Sequence, residues 1–257
     1  MSKITDHNKI AWDMSVEAGI RWSLIVPEEA IAKARAGSPR IILTPSRHVP
    51  MEWLGELKNK DVLGLAAGGG QQGPLLAAAG ARVTVADLSP KQLEQDNKAA
   101  AQYGLELRTV ETKASDLSIF EDGSFDLIVN PASNCFFEDL EPVWSECYRV
   151  LKPGGSLIYG FVNPISFLFD VDLAHNKDRF HLKYTQPYTD LDSLSVAEKN
   201  QFLGEGEPLH FGHSLETQIG LLLKKGFLLK GLFEDHWDTD EAINNYFPQF
   251  ISAWAIK

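Results

Sequence analysis

The chain has 257 residues, of which 44% are hydrophobic and 23% charged, and its formal net charge is −11 at pH 7. A chain of this size and composition can bury one sizeable core. The acidic balance argues against a protein that works on a nucleic acid, because phosphate binding relies on clusters of Lys and Arg, and only scattered basic pairs such as Lys224-Lys225 are present.

The chain carries no signal for export or for a membrane span. The first residues, MSKITDHNKIAWD, contain no apolar stretch of the kind found in signal peptides. Residues 62–81 are uncharged, but six glycines, two glutamines and a proline make them a poor membrane helix. Cys135 and Cys147 form no CxxC pair and are interpreted as buried free thiols. We therefore expect a cytoplasmic protein without a membrane partner.

Strands and helices alternate from residue 61 onwards. An N-terminal region of helical character (residues 6–36) comes first, and a strand at 61–65 follows. The next elements are a helix that Pro74 opens and Gly80 ends, and a second, β-branched strand at 82–86. Parallel pairing of these strands is expected, since a helix connects them.

The segment Ser89-Pro90-Lys91-Gln92 has the composition of a helix start. It offers an N-cap serine, a proline at the first helical position and a glutamine for a capping box. Gly104 is suited to end the helix after Tyr103.

The alternation then continues and breaks once. Further predicted elements are strands at 105–110, 125–130 and 156–162, with a helix at 140–151. Residues 164–212 are rich in aromatic residues, Asp and Pro and do not alternate, which predicts an inserted cap. A helix at 215–225 and strands at 227–233 and 250–255 complete the chain. This order predicts a parallel sheet with right-handed crossovers.

The glycine-rich segment Gly68–Gly73 lies between the first strand and its helix, and Asp87 ends the second strand. Glycines let a backbone approach a ligand closely, a helix N-terminus offers free N–H groups, and a carboxylate accepts hydrogen bonds from a ribose diol. Taken alone, this GxGxxG pattern fits a dinucleotide, or a tight turn with no ligand.

Four motifs in order resemble those of class I S-adenosylmethionine-dependent methyltransferases of the small-molecule, Methyltransferase-11-like type. They are Val62–Gly70 (VLGLAAGGG), Asp87, Asp122–Ile128 (DGSFDLI) and Arg149–Gly155 (RVLKPGG). The resemblance is close over residues 55–165 and loose over the last forty. It implies a Rossmann-like α/β fold: a seven-stranded, mostly parallel sheet with an antiparallel last strand, helices on both faces and the cap after the fifth strand.

The same resemblance implies a single methyltransferase domain over residues 1–257. Its parts would be an N-terminal helical region (1–54), a cofactor-binding core (55–163), the cap insertion (164–212), and a final helix with two strands (213–257). The implied methyl donor is S-adenosylmethionine and the product S-adenosylhomocysteine. The positions carried over as cofactor contacts are Ala66, Gly68, Gly70, Asp87, Leu88, Ala114, Asp116 and Asn130.

The chain departs from the family pattern near this site. Gly64 stands where the first strand usually has an acid, and Ala66 where the first family glycine would be. Lys113 occupies the position of an acid near the adenine amine. Either Asp116 takes that role from a shifted loop, or backbone groups of Ala114 do so. Asp116 is equally suited to cap a turn.

Methyl transfer from a sulfonium needs alignment and exclusion of water, and a base only when the acceptor is protonated. No catalytic motif is therefore required. Asn134, Asn163, Tyr188 and His210 are candidates for the acceptor pocket. His213 is a candidate base, although it could instead cap a helix or bind a backbone carbonyl. Trp12, Trp22 and Tyr184 could wall the pocket or pack in the core. His175 and Asp172 complete no metal-ligand set, and no metal is expected.

A small-molecule acceptor is favoured, because the cap is large and the chain acidic. The alternatives are an RNA or protein acceptor, a sensor that binds the cofactor without turnover, and an oxidoreductase that uses a dinucleotide. The oligomeric state is left open.

Overall fold

The computed structural model describes residues 3–170, 179–204 and 206–257. Its strands are β1 (Asp61–Leu65), β2 (Arg82–Asp87), β3 (Leu107–Glu111), β4 (Phe125–Asn130), β5 (Leu151–Val162), β6 (Tyr188–Thr189), β7 (Phe211–Gly212), β8 (Leu228–Asp235) and β9 (Phe250–Ile256). Seven of them form one sheet in the order β3-β2-β1-β4-β5-β9-β8, and β6 pairs with β7.

The sheet is parallel from β1 to β5, and β9 runs antiparallel to both β5 and β8. The predicted α/β fold with an antiparallel last strand is confirmed. The boundary between the predicted helix at 140–151 and β5 differs from the prediction. The strand begins at Leu151 rather than at Ser156, because Leu151 already pairs with Phe125 of β4. A bulge before Ser156, where Gly154 has φ +76°, takes up the extra residues.

The helices are α1 (Lys3–Glu17), α2 (Glu28–Arg35), α3 (Met51–Leu54), α4 (Gln72–Ala78), α5 (Pro90–Tyr103), α6 (Glu141–Val150), α7 (Asp190–Ser193), α8 (Val196–Phe202) and α9 (Leu221–Lys224). A π-helical turn, Glu216–Gly220, leads into α9. Helix α4 begins two residues before Pro74, which lies in the first turn, where its missing N–H is not needed. None of the described helices is long and apolar enough to span a bilayer.

Helix α5 has the predicted bounds, but only half of the predicted capping box. The Ser89 hydroxyl accepts a hydrogen bond from the Gln92 N–H (3.0 Å), and Gly104 ends the helix with φ +60°. The Gln92 side chain does not return to the Ser89 backbone. Its Nε2 donates instead to the Ser23 hydroxyl at 2.7 Å, because the N-terminal segment lies against this end of the helix.

The sheet is covered on both faces, as a parallel sheet requires. Alternate residues of each central strand enter different cores: on β4, Ile128 packs into one and Leu127 and Val129 into the other. In the first core the ring of Trp144 from α6 lies 5.0 Å from that of Tyr159 on β5.

Arg149, in the RVLKPGG motif, holds the segment that precedes β4. Its guanidinium forms two 2.8 Å contacts with the Glu146 carboxylate and one with Asp122. It also donates to the carbonyls of Leu117 (2.9 Å) and Phe120 (2.8 Å). This motif therefore joins α6 to the loop that carries the DGSFDLI motif.

We expect Arg149→Lys to lower the free energy of unfolding by about 1–3 kcal/mol. Lysine is a point donor and cannot replace a fork that serves two carboxylates and two carbonyls. Urea unfolding measures the change. Arg82→Lys is the matched control, because Arg82 is exposed and pairs with Asp61 at the surface, where replacement costs little. Equal unfolding midpoints for the two variants would contradict this role of Arg149.

Candidate active site

A cavity of about 810 Å³ lies beyond the carboxyl ends of the central strands. Ala66 follows β1, Asp87 ends β2 and Pro131 follows β4, and all three line it. Phe167 and Tyr188, from residues 164–212, line the same cavity. Its volume falls in the range of roughly 300–1,000 Å³ that is usual for small-molecule sites, and its place is where parallel α/β sheets bind ligands.

The loop after β1 is shaped by left-handed backbone. Ala66 has φ +45°, Gly69 +118° and Gly70 +76°. The Ala66 N–H donates to the Ala86 carbonyl at 2.7 Å, which ties the turn to β2. The loop thus accepts alanine at position 66, where the family usually has glycine, although the left-handed backbone conformation is unfavourable for residues with a Cβ.

Asp87 is held by backbone N–H groups. Oδ2 accepts from Gly68 and Oδ1 from Ser89, each at 2.9 Å. Burial raises the pKa of Asp87, while the hydrogen bonds from Ser89 and Gly68 act in the opposite direction. A carboxylate offers about four acceptor sites, so the Asp87 side chain, which lines the cavity, can accept further hydrogen bonds.

The glycines of the loop are required by space. A Cβ on Gly68 would lie 2.8 Å from Cβ of Gln92 and 2.9 Å from Asp87 Oδ2. A Cβ on Gly69 would collide with the Trp22 carbonyl oxygen. By contrast, a Cβ on Gly64 would meet the Ala67 Cβ at 3.4 Å, an ordinary contact. The backbone of β1 therefore has room for a Cβ at the position where the family usually has an acid.

Asp96 on α5 is a second carboxylate that supports the loop, and the sequence analysis missed it. It is fully buried, and its Oδ2 accepts from the Gly69 N–H at 3.0 Å. Burial raises its pKa to about 8, against the hydrogen bonds of the Gly70 and Gly69 backbone. The spacing in the sequence could have indicated its burial. Asp96 lies three residues after Leu93, and residues three apart share one face of a helix, here the face that packs on the core.

The N-terminal segment, residues 12–26, covers the outer side of the loop. The Val26 N–H donates to the Gly70 carbonyl at 3.0 Å, and Gln71 Nε2 donates to the Arg21 carbonyl at 2.7 Å. The rings of Trp12 and Trp22 reach the cavity wall. Tyr184 does not line the cavity.

Five of the eight predicted cofactor contacts line the cavity: Ala66, Gly68, Asp87, Leu88 and Ala114. The other three do not. The Gly70 carbonyl is bound by Val26, and buried Asn130 donates to the Leu65 carbonyl at 2.8 Å. Asp116 is exposed and accepts from the hydroxyl and N–H of Ser118, which lowers its pKa. Its geometry is that of a turn cap.

Of the predicted acceptor residues, Tyr188 and His210 line the cavity, and Asn134, Asn163 and His213 do not. Asn134 donates to Gln218 Oε1 at 3.0 Å, and Asn163 donates to the Pro248 carbonyl at 2.9 Å. His213 Nε2 lies 2.8 Å from the Phe137 carbonyl oxygen, and burial lowers its pKa. The His213 ring therefore binds the Phe137 carbonyl, which was the alternative to its role as a base.

Within residues 3–170, 179–204 and 206–257, no group of three or more His, Cys, Asp or Glu side chains could hold a metal ion. His175 and Asp172 lie outside the described residues.

The fold and the position of this cavity define a class of α/β methyltransferases, and comparison with known proteins supports this. A family model described as a methyltransferase domain matches residues 63–159. The methyltransferase YbaJ of Bacillus subtilis is 45% identical over 248 residues, which cover 96% of this chain and 97% of that protein. The demethylmenaquinone methyltransferase of Thermus thermophilus is 40% identical over 101 residues, 38% of this chain and 46% of that one. The chain belongs to the methyltransferase family.

Solved structures show the same fold at low identity. An S-adenosylmethionine-dependent methyltransferase from Listeria monocytogenes superposes with a TM-score of 0.64 at 22% identity, over 80% of this chain and 94% of that one. The 1,6-didemethyltoxoflavin-N1-methyltransferase of Burkholderia thailandensis was solved with its ligand and S-adenosylhomocysteine. It superposes with a TM-score of 0.57 at 16% identity, over 100% of this chain and 91% of that one. The oxidoreductase alternative is wrong.

The raised pKa of Asp96 predicts a stability that falls as pH rises. Between about pH 4 and 8 the folded chain keeps a proton that the unfolded chain has lost. Each such proton contributes a slope of about −1.4 kcal/mol per pH unit. Asp96→Asn keeps an oxygen for Gly69 and removes the ionisation, so we expect its unfolding free energy to fall less steeply than that of the parent chain.

Urea unfolding at several pH values above 5 measures both slopes. Asp116→Asn is the matched control, because the lowered pKa of Asp116 places its titration below this window. Parallel curves for the parent and Asp96→Asn would show that Asp96 is ionised in the folded chain.

Proposed function

We propose that this methyltransferase moves a methyl group from S-adenosylmethionine to a small-molecule acceptor by in-line displacement. The observation that carries the proposal is the Asp87 carboxylate, oriented by Gly68 and Ser89 at the cavity wall. Its remaining acceptor capacity suits the hydroxyls of the donor's ribose. Leu88 and Ala114, also on the wall, offer apolar surface to the adenine.

The charges around the cavity favour a cationic donor. Among the described residues that line it, lysine and arginine are represented by Lys113 alone. The carboxylates that line it are Asp87, Glu138, Asp139, Asp190, Glu207 and Glu241. Such a site attracts a sulfonium and repels the pyrophosphate of a dinucleotide or the backbone of an RNA. When bound, the donor supplies an electrophilic methyl group, and the chain's residues align the two reactants and exclude water.

The cap supports a small acceptor over a macromolecule. Phe167, Tyr188 and His210 come from residues 164–212 and line the same cavity as the residues at the strand ends. We retain the division into residues 1–54, 55–163, 164–212 and 213–257 as part of this proposal. We also place the protein in the cytoplasm, a location supported by the free, buried thiols of Cys135 and Cys147.

Calorimetric titration of the purified protein with S-adenosylhomocysteine and with NADH tests the cofactor. We expect saturable binding of the first and no heat from the second. Absence of heat with S-adenosylhomocysteine would refute the proposal. Transfer of a labelled methyl group into a metabolite pool then separates an enzyme from a sensor.

Gly68→Ala should weaken S-adenosylhomocysteine binding at least about tenfold. The new Cβ displaces the Asp87 carboxylate, 2.9 Å from its position, and a shift of this kind costs more than about 1 kcal/mol. Gly204→Ala is the matched control, because its Cβ would meet nothing within 4 Å and it does not line the cavity. The dissociation constants of both variants are compared with that of the parent. Unchanged affinity for Gly68→Ala would remove Asp87 from the cofactor site.

A further inference from the structure

The short sheet of the cap places an aspartate opposite a histidine. In β6 and β7, Tyr188 pairs with Gly212 and Thr189 with Phe211. The next position of this antiparallel register joins Asp190 and His210. The Asp190 N–H donates to the His210 carbonyl at 3.1 Å, and the His210 N–H donates to Asp190 Oδ2 at 2.7 Å.

The two side chains also meet. His210 Nδ1 lies 3.2 Å from Asp190 Oδ2, and the Tyr188 hydroxyl donates to Oδ1 at 2.7 Å. Asp190 is only 5% exposed. Burial acts to raise the pKa of Asp190, but the hydrogen bonds from His210 and Tyr188 outweigh it and lower the pKa. An ionised carboxylate only accepts hydrogen bonds, so it keeps the proton of a neutral His210 ring on Nδ1 and leaves Nε2 as a base.

The His210 ring lies beside aromatic residues that line the cavity. His210 lines the cavity, its side chain is 39% exposed, and no described residue forms a hydrogen bond with Nε2. Its ring centroid is 5.1 Å from that of Phe136, which in turn makes a 4.9 Å edge contact with Trp12. Flat aromatic molecules can bind beside such rings.

Building on the proposed function, we propose that His210, positioned by Asp190, is the general base for an acceptor that carries an aromatic hydroxyl. The hydroxyl proton moves to Nε2 while the oxygen forms a bond to the methyl carbon. The carbon–sulfur bond breaks, its electron pair stays on sulfur, and the products are an aryl methyl ether and a neutral thioether. The imidazolium then releases its proton to solvent.

The alternative base, His213, is not brought to the cavity, as described above. An anionic acceptor is disfavoured, since the carboxylates there outnumber Lys113. A neutral hydroxyl on an aromatic ring fits this part of the cavity. Its proton must be removed by a base, and its ring can pack beside Phe136 and Trp12. The described titratable groups that line the cavity, besides His210, are Asp87, Lys113, Cys135, Glu138, Asp139, Tyr188, Asp190, Glu207 and Glu241, and His7 of α1 contacts the Glu207 carbonyl.

The test uses the full chain, labelled S-adenosylmethionine and a panel of aromatic hydroxyls, amines and carboxylates. We expect transfer to hydroxyls. Phenol is then compared with pentafluorophenol, which is already ionised at neutral pH. His210→Ala should lower kcat for phenol by at least about 100-fold, the usual contribution of a general base, and for the fluorinated phenol by far less. A merely structural role would lower both rates equally.

Asp190→Asn tests the positioning role. It keeps the shape of the buried side chain but no longer stabilises an imidazolium, so kcat for phenol should fall at least about tenfold while kcat for pentafluorophenol changes far less. His181→Asn, an exposed histidine away from the cavity, is the matched control and should retain the parent rates.

Three outcomes would overturn the inference: no transfer to any hydroxyl, preferred transfer to amines or carboxylates, or equal losses for both phenols in His210→Ala. Each is distinguishable from failure of the proposed function. If the proposed function fails, S-adenosylhomocysteine does not bind. If only the assignment of His210 as the base fails, S-adenosylhomocysteine still binds normally to the parent chain and to His210→Ala.

Discussion

Hydrogen bonds from the glycine loop to two carboxylates determine the shape of the site. Gly68 donates to Asp87 at the end of β2, and Gly69 donates to Asp96 inside α5. Because these groups are largely removed from water, a displaced loop would leave carboxyl oxygens and N–H groups without partners, which costs about 1–3 kcal/mol for each. The loop is thereby fixed to β2 and α5, and the N-terminal segment adds a hydrogen bond from Val26 to its Gly70 carbonyl.

The RVLKPGG and DGSFDLI motifs act at a distance from the cavity. Lys152 places its ammonium between Asp61 (2.7 Å) and Asp126 (2.8 Å), which joins the starts of β1 and β4 to β5. These two strands carry the loops after Leu65 and Asn130. Two of the four family motifs thus support the sheet, while the other two, Val62–Gly70 and Asp87, contribute residues to the cavity wall.

Local chemistry made much of the fold predictable. The strands at 61–65 and 125–130 and the helix at 90–103 have the predicted bounds, since each has apolar periodicity and clear end signals. The pair of Asp190 and His210 could not be predicted, because it depends on the register of two-residue strands that lie far apart in the chain. Asn134 and His213 were expected near the cavity from their positions in sequence, and long-range partners, Gln218 and Phe137, direct them elsewhere.

The acidic lining of the cavity has a consequence for the end of the proposed reaction. Among the described residues, six acidic side chains and one lysine line the cavity, so a positive ligand is held by electrostatic attraction that a neutral one lacks. Methyl transfer removes the charge from sulfur and leaves an uncharged thioether. The protein should therefore bind S-adenosylmethionine more tightly than S-adenosylhomocysteine. This difference in charge would reduce product inhibition, which is common in enzymes whose product closely resembles the substrate.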